Sequence, residues 1–233
     1  RAVNVLQAQA DASPLVHAYC AALHMFAESA DAPRNARPFI QQALAHAHQA
    51  SEREQRFVAA VAAWVDGDLP RAIALHEEQA RLHPRDLASL KLGQYHAFNL
   101  GDAPTMLRLA LLAAPAAADV AEFHGMLAFG HEQCHALREA EASARCALAM
   151  RPDEPWAQHA LAHVLLTAGR LDEGVALLHC LSPAAVPLRL PPKPPRFRQS
   201  PSDQRTTNHD RGCLDEHWLL FEWCVPILFG HFA

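Results

Sequence analysis

The sequence predicts an all-α protein in which a helical hairpin is repeated along the chain. Alanine and leucine dominate its 233 residues, only 9 of which are glycine, and runs rich in Val, Ile, Thr and Tyr are missing. That composition favours helices over strands. Gly67 and Gly101 lie 34 residues apart, and Gly169 follows after twice that distance. A fixed spacing of this length is typical of helical-repeat arrays.

Each repeat is predicted to hold two helices joined by a tight turn. Residues 54–66 carry apolar side chains at helical spacing, namely Phe57, Ala60, Val61, Trp64 and Val65. Gly67 supplies the left-handed residue that ends this helix at low steric cost. Asp68 can cap the second helix, Pro70 is tolerated in its first turn, and Pro84 stops it.

A glycine in mid-repeat, a small residue five positions later and a late proline together form the tetratricopeptide pattern. Ala72 and Ala140 are the small residues that let paired helices approach closely. Because one hairpin cannot bury its own apolar face, the hairpins are expected to stack into a solenoid. We assign residues 53–181 to these repeats, which start near Arg53, Leu87, Ala121 and Pro155.

Residues 1–52 are predicted to form a degenerate N-terminal helical hairpin that covers one end of the array. Helical spacing of apolar residues extends over residues 15–28 and again over residues 39–49. The stretch between them, SADAPRNARP, contains two prolines and is predicted to be a link rather than a helix.

One short motif points to different chemistry. Residues 131–135 read H-E-x-x-H, which on a helix places two imidazoles on one face for zinc and a glutamate as general base. In the repeat register, however, His135 takes the place that glycine holds at positions 67, 101 and 169. We therefore expect the helix to end near Cys134 and His135 to lie in a turn with positive φ. No zinc site, no other metal site and no catalytic residue is predicted here.

The tetratricopeptide resemblance implies that positions 2, 5, 9, 12 and 13 of each first helix line the concave face. The resulting wall would be aromatic and polar, and its candidate partner-binding residues are Lys91, Tyr95, Asn99, Phe129, Trp156, His159 and His163. His159 and His163 are spaced i, i+4, so they share a helix face and can bind one ligand. Simple packing of the two imidazoles is the alternative interpretation.

A narrower resemblance covers roughly residues 15–178. Two stretches, 52–102 and 126–178, resemble the tetratricopeptide repeat protein 38 family, and the phrase WAQHALAHVLLTAGRLDEG, Trp156 to Gly174, is the most specific part. The resemblance implies an all-helical protein of the cytosol. It brings no assigned substrate, reaction or partner, although His159 and His163 match histidines that recur in the family phrase.

The chain departs from that family after the fourth repeat, where members continue with further helices. Residues 182–212 are rich in Pro and Arg and are predicted to be an extended or disordered linker. Residues 213–233 form a short apolar segment that matches nothing expected. We explain this tail by a shifted reading frame or a truncated gene product.

The composition of the chain argues against some classes of function. A formal net charge of −5 gives no reason to expect nucleic acid as a partner, and the most apolar late stretch is too short to span a membrane. Six cysteines without a C-x-x-C pair, and an N-terminal stretch without a secretory signal, favour reduced thiols in the cytoplasm. The predicted function is a non-enzymatic scaffold that binds a protein or peptide and needs no cofactor. The alternatives are a small-molecule binder or enzyme that uses His159 and His163, or a truncated, nonfunctional product.

Overall fold

The computed structural model of the chain describes residues 13–181, with side chains as far as residue 177. Within that range it contains ten α-helices and no strand. The helices are α1 Pro14–Met25, α2 Ala32–His46, α3 Glu52–Val65, α4 Leu69–Leu82, α5 Leu87–Asn99, α6 Ala103–Ala117, α7 Ala121–Gln133, α8 Leu137–Met150, α9 Pro155–Thr167 and α10 Leu171–Leu181. A 3₁₀ turn, Ala47–Gln49, follows α2. None of these helices is both long enough and apolar enough to cross a membrane.

Successive helices pair into hairpins, and each hairpin packs on the next. The second helix of one hairpin contacts the first helix of the following one, as α4 does with α5, α6 with α7 and α8 with α9. Helices α5, α7 and α9 begin at Leu87, Ala121 and Pro155. The described part of the chain is therefore the all-α helical-hairpin solenoid that the repeat pattern predicted. The predicted linker and closing apolar segment lie outside the described residues.

The turns between paired helices follow the glycine series. Gly67, Gly101 and Gly169 have φ values of 82°, 69° and 70°, and His135 has a φ of 55° at the fourth place in the series. Helix α7 ends at Gln133, one residue before the predicted position. The prediction that the H-E-x-x-H motif is interrupted by a helix end is thus confirmed.

The N-terminal hairpin departs from the prediction because α2 begins at Ala32, well before residue 39. Pro33 lies in the first turn, where a helix needs no N–H donor. Pro38 lies inside the helix but on its exposed side, where water can satisfy the carbonyl that has lost its partner. Alanine and isoleucine at four-residue spacing, Ala32, Ala36 and Ile40, are buried on the opposite side, and their packing outweighs the two prolines.

Small residues and buried amides hold the stack together. Ala72 and Ala140, which the pattern assigned to close helix approach, are both fully buried. The Gln94 side-chain amide of α5 donates to the carbonyls of Met106 in α6 and Met126 in α7, at 3.1 and 3.2 Å. A buried side chain with two backbone acceptors fixes the relative position of three helices.

Candidate functional site

The side chains of the first helices α3, α5, α7 and α9 form what we call the A-helix wall. Along it, a residue at position 12 of one repeat contacts the residue at position 9 of the next, 31 positions later. These cross-repeat pairs are Trp64 with Tyr95 at 5.6 Å between ring centroids, Phe98 with Phe129 at 5.5 Å, and Glu132 with His163 at 3.2 Å between Oε1 and Nδ1. The wall is thus a continuous line of contacts across four hairpins.

Five of the seven predicted residues meet in one group, the tryptophan cluster. It consists of Lys91, Phe129, Trp156, His159 and His163, together with Glu132. The Lys91 ammonium lies over the Trp156 ring, with Nζ 3.0 Å from the ring centroid, and 6.0 Å from the centroid of Phe129. Such a cation–π contact is worth about 0.5–2 kcal/mol, depending on desolvation. Because Lys91 belongs to α5 and Trp156 to α9, their contact bridges α7.

Phe129 lies at the centre of the cluster and is only 7% exposed. Its ring contacts Trp156 at 5.3 Å and His159 at 5.8 Å, in addition to Phe98. Lys91, Trp156 and the two imidazoles are all more exposed than Phe129. Phe129 therefore supports the surface from beneath, while its neighbours present polar and aromatic groups to solvent.

The imidazoles of the cluster have different partners. His159 and His163 lie with ring centroids 4.3 Å apart, as their i, i+4 spacing predicts. His163 Nδ1 donates to the Glu132 carboxylate at 3.2 Å, and the Gln133 amide donates to the same carboxylate at 2.7 Å. The sequence placed Glu132 and Gln133 on the wall but did not single them out as site residues. Glu132 lies 31 residues before His163, which is the spacing of the other cross-repeat pairs, and this spacing is the sequence signal that identifies it.

Burial sets the charges of the cluster. Burial is the main cause that lowers the pKa of His159 to about 4, and electrostatic interaction with His163 and Lys91 acts in the same direction, whereas Glu132 opposes the shift. Burial by itself raises the pKa of Glu132, but the hydrogen bonds from His163 and Gln133 outweigh it and leave that pKa lowered. At neutral pH the cluster therefore presents an ammonium, a carboxylate and an uncharged His159 imidazole.

A buried carboxylate, Glu154, supports the start of α9. Its side chain is 1% exposed and caps the helix by accepting from the Ala157 backbone N–H at 2.6 Å. Burial raises its pKa, against the opposing effects of the Ala157 bond and of Lys91. Gly125 leaves room for it, since a Cβ there would lie 2.2 Å from Glu154 Oε2. Asp86, 68 residues earlier, caps α5 in the same way, and this repeat relation is the sequence signal for Glu154.

The two remaining predicted residues, Tyr95 and Asn99, belong to a second group. This tyrosine cluster consists of Phe26, Glu28, Trp64, Tyr95, His96 and Asn99. The Tyr95 ring meets Phe26 edge-on at 4.9 Å, and its hydroxyl donates to the Glu28 carboxylate. Burial, followed by the bond to Glu28, raises the pKa of Tyr95, while a hydrogen bond with the exposed Asn99 opposes the rise. The sequence did not predict that Phe26 and Glu28 belong to the site. Glu28 lies 67 residues before Tyr95, and no repeat spacing links the two positions.

The histidines and acidic residues of the described part of the chain are scattered rather than grouped for metal binding. The described residues contain no group of three or more His, Cys, Asp or Glu side chains that could hold a metal ion. His131 and His135 are separated by the end of α7, and His135 is exposed.

Comparison with solved structures places the fold. The residues 41-to-end fragment of MamA from Desulfovibrio magneticus RS-1 superposes with a TM-score of 0.50 at 13% identity, over 72% of this chain and 94% of that one. The MamA RS-1 ArsTM double mutant gives 0.50 at 14% identity, over 72% and 93%. No protein-family model matches the sequence. These likenesses show a tetratricopeptide-type helical solenoid and nothing narrower.

Proposed function

We propose that the chain is a non-enzymatic helical-repeat scaffold that binds a protein or peptide on its A-helix wall. The proposed contacts are Lys91, Tyr95, Asn99, Phe129, Trp156, His159 and His163. The observation that carries the proposal is the tryptophan cluster, in which α5 and α9 bring an ammonium, an indole and two imidazoles to one partly exposed surface over Phe129 of α7. Aromatic side chains and bridging cations of this kind are enriched at protein interfaces.

The arrangement supports binding more than catalysis. The Glu132–His163 pair has the form of an acid–base dyad, with Nδ1 engaged by the carboxylate. The other nitrogen of that ring, Nε2, is buried and has no hydrogen-bond partner among the described residues. A general base must reach its substrate, and this nitrogen does not face solvent. The pair instead fixes the ring within the wall, which is consistent with a tetratricopeptide-type interaction scaffold.

The narrower resemblance to the tetratricopeptide repeat protein 38 family belongs to the same proposal. Trp156, His159 and His163 all fall within its most specific phrase. The proposed location is the cytoplasm, because the sequence has no C-x-x-C pair and Cys20, Cys134 and Cys146 are free thiols. The linker over 182–212 and the closing segment over 213–233 remain predictions.

The test compares partner retention by matched variants. The immobilised wild-type chain, Trp156→Ala and Arg138→Ala are incubated with extract from the source cells, and retained proteins are quantified by mass spectrometry. Arg138 lies on α8 with a side chain 93% exposed, so its variant is the control. We expect Arg138→Ala to retain the same proteins as wild type. Trp156→Ala should retain at least about tenfold less of them, as expected when a hot-spot aromatic residue is removed. Equal retention by a folded Trp156→Ala variant would refute the proposal.

A further inference from the structure

The turn of the N-terminal hairpin fills one end of the A-helix wall. Helix α1 ends at Met25, and the chain turns before α2 begins at Ala32. Phe26, the first residue of this turn, places its ring 5.1 Å from Trp64 and 4.9 Å from Tyr95 between centroids. These are the two members of the first cross-repeat pair. A short segment of the chain therefore lies where an extended ligand of the wall would lie.

The second anchor of the turn is Glu28. Its carboxylate accepts a hydrogen bond from the Tyr95 hydroxyl, although its own side chain is exposed. Its φ is 48°, in the left-handed region that a non-glycine residue adopts only at a steric cost. Residues 27–30 are all exposed, so they contribute little to the core. Backbone hydrogen bonds from Ala27, Glu28 and Ala32 order the turn itself, and the side chains of Phe26 and Glu28 hold it against the wall.

We propose that the Trp64–Tyr95 pair is a binding site for a partner segment with an aromatic residue followed two positions later by an acidic one. The chain's own Phe26 and Glu28 would be the resident occupants that such a segment replaces. This inference rests on the proposed function and names the partner chemistry at one end of the same wall.

The chemistry of the site matches both features of that segment. Trp64 and Tyr95 each meet a third ring in a T-shaped arrangement, which aromatic groups prefer. The Tyr95 hydroxyl supplies a donor that a carboxylate accepts more strongly than a neutral group does. Two anchors at a fixed spacing also set the register of an extended segment. Exchange requires the half-buried Phe26 ring to leave its packing against the core, whereas residues 27–30 are exposed and can leave without opening it.

The experiment uses the full chain and a probe copied from it. The probe is the fluorescein-labelled peptide His-Met-Phe-Ala-Glu-Ser, residues 24–29, and binding is followed by fluorescence anisotropy. The wild-type chain is compared with the double variant Phe26→Ala/Glu28→Ala and with Glu28→Gly. Glycine suits a positive φ, so Glu28→Gly keeps the chain folded while it removes one anchor. Circular dichroism checks the fold of each variant.

We expect the double variant to bind the probe at least about tenfold more tightly than wild type, with Glu28→Gly between them, because the resident segment no longer competes. Replacing the probe's Phe by Ala, or its Glu by Gln, should weaken binding. Adding Tyr95→Phe should abolish the preference for Glu over Gln but keep the preference for Phe.

Two results would overturn the inference. One is a folded Glu28→Gly or double variant that binds the probe no better than wild type does. The other is equal binding of the probe and its substituted forms. If partner retention still depends on Trp156 in either case, only the inference fails and the proposed function stands. If the probe binds as expected while retention is independent of Trp156, the proposed function fails at the tryptophan cluster alone.

Discussion

Two buried histidines should make the chain unstable in mild acid. His76 in α4 and His96 in α5 are both 0% exposed, with ring centroids 5.5 Å apart. His76 Nδ1 lies 2.7 Å from the Ser89 hydroxyl, but His76 Nε2 and both nitrogens of His96 have no hydrogen-bond partner within residues 13–181. An imidazolium at either position would be a buried charge without compensation.

The magnitude follows from the pKa values. Burial lowers the pKa of His76 from 6.5 to about 3, with His96 contributing, and burial lowers that of His96 to about 4. Below pH 6.5 the unfolded chain binds protons that the folded chain refuses, so stability is full above pH 6.5 and falls as pH drops toward 4. At pH 5 each histidine costs about 2 kcal/mol, since 1.36 kcal/mol is lost per pH unit over about 1.5 units.

The perturbation is His96→Phe, which keeps a planar ring and removes both unpartnered nitrogens. Urea unfolding is measured at pH 7.5 and pH 5.0 for wild type, for His96→Phe and for the control His48→Gln, whose histidine is exposed. We expect the loss of unfolding free energy between the two pH values to be about 2 kcal/mol smaller in His96→Phe and unchanged in His48→Gln. Groups that His96 does not influence cancel in this difference, and His76 stays buried in both proteins. An equal loss in wild type and His96→Phe would show that burial of His96 does not destabilise the chain in acid.

Two further predictions concern turns and close approaches. His135→Gly should leave the unfolding free energy unchanged or raise it by up to about 1 kcal/mol, because the positive φ of 55° at this position suits glycine. Chemical denaturation measures the unfolding free energy, and a clear decrease would contradict the prediction. Gly125→Ala should lower the unfolding free energy by about 2–3 kcal/mol, because its Cβ would lie 2.2 Å from Glu154 Oε2 and displace the helix cap. Gly174→Ala is the control, since a Cβ there would meet Leu165 Cβ at an ordinary 3.7 Å, and a similar loss in both variants would argue against the clash.

Local rules account for the parts of the fold that the sequence predicted correctly. The positive φ of a turn residue can be predicted from its place in the glycine series alone, so the turn at His135 was identified without any tertiary information. The start of α2 could not be found in this way. Its two prolines are strong local signals against a helix, and the packing of Ala32, Ala36 and Ile40 that overrides them depends on tertiary structure.

The candidate site likewise contains contacts that the sequence predicts and contacts that depend on tertiary structure. Positions 12 and 9 of neighbouring repeats are predictable once the period is known, and so the Glu132–His163 pair was within reach of the sequence. The Lys91–Trp156 contact spans two repeats, so it depends on how far each hairpin rotates against the next. The contact of Glu28 with Tyr95 depends on the path of an irregular turn, which no periodicity describes.

The cross-repeat pairs also give the wall a direction. The first two pairs, Trp64 with Tyr95 and Phe98 with Phe129, are aromatic, whereas the third, Glu132 with His163, joins a carboxylate to an imidazole. Apolar contact is nearly independent of direction, but a carboxylate hydrogen-bonded to an imidazole accepts only complementary groups. An extended partner that meets aromatic side chains at one end and polar ones at the other can therefore lie on the wall in one orientation. Reversing it would place its apolar residues against the Glu132 carboxylate and leave its polar residues over the rings.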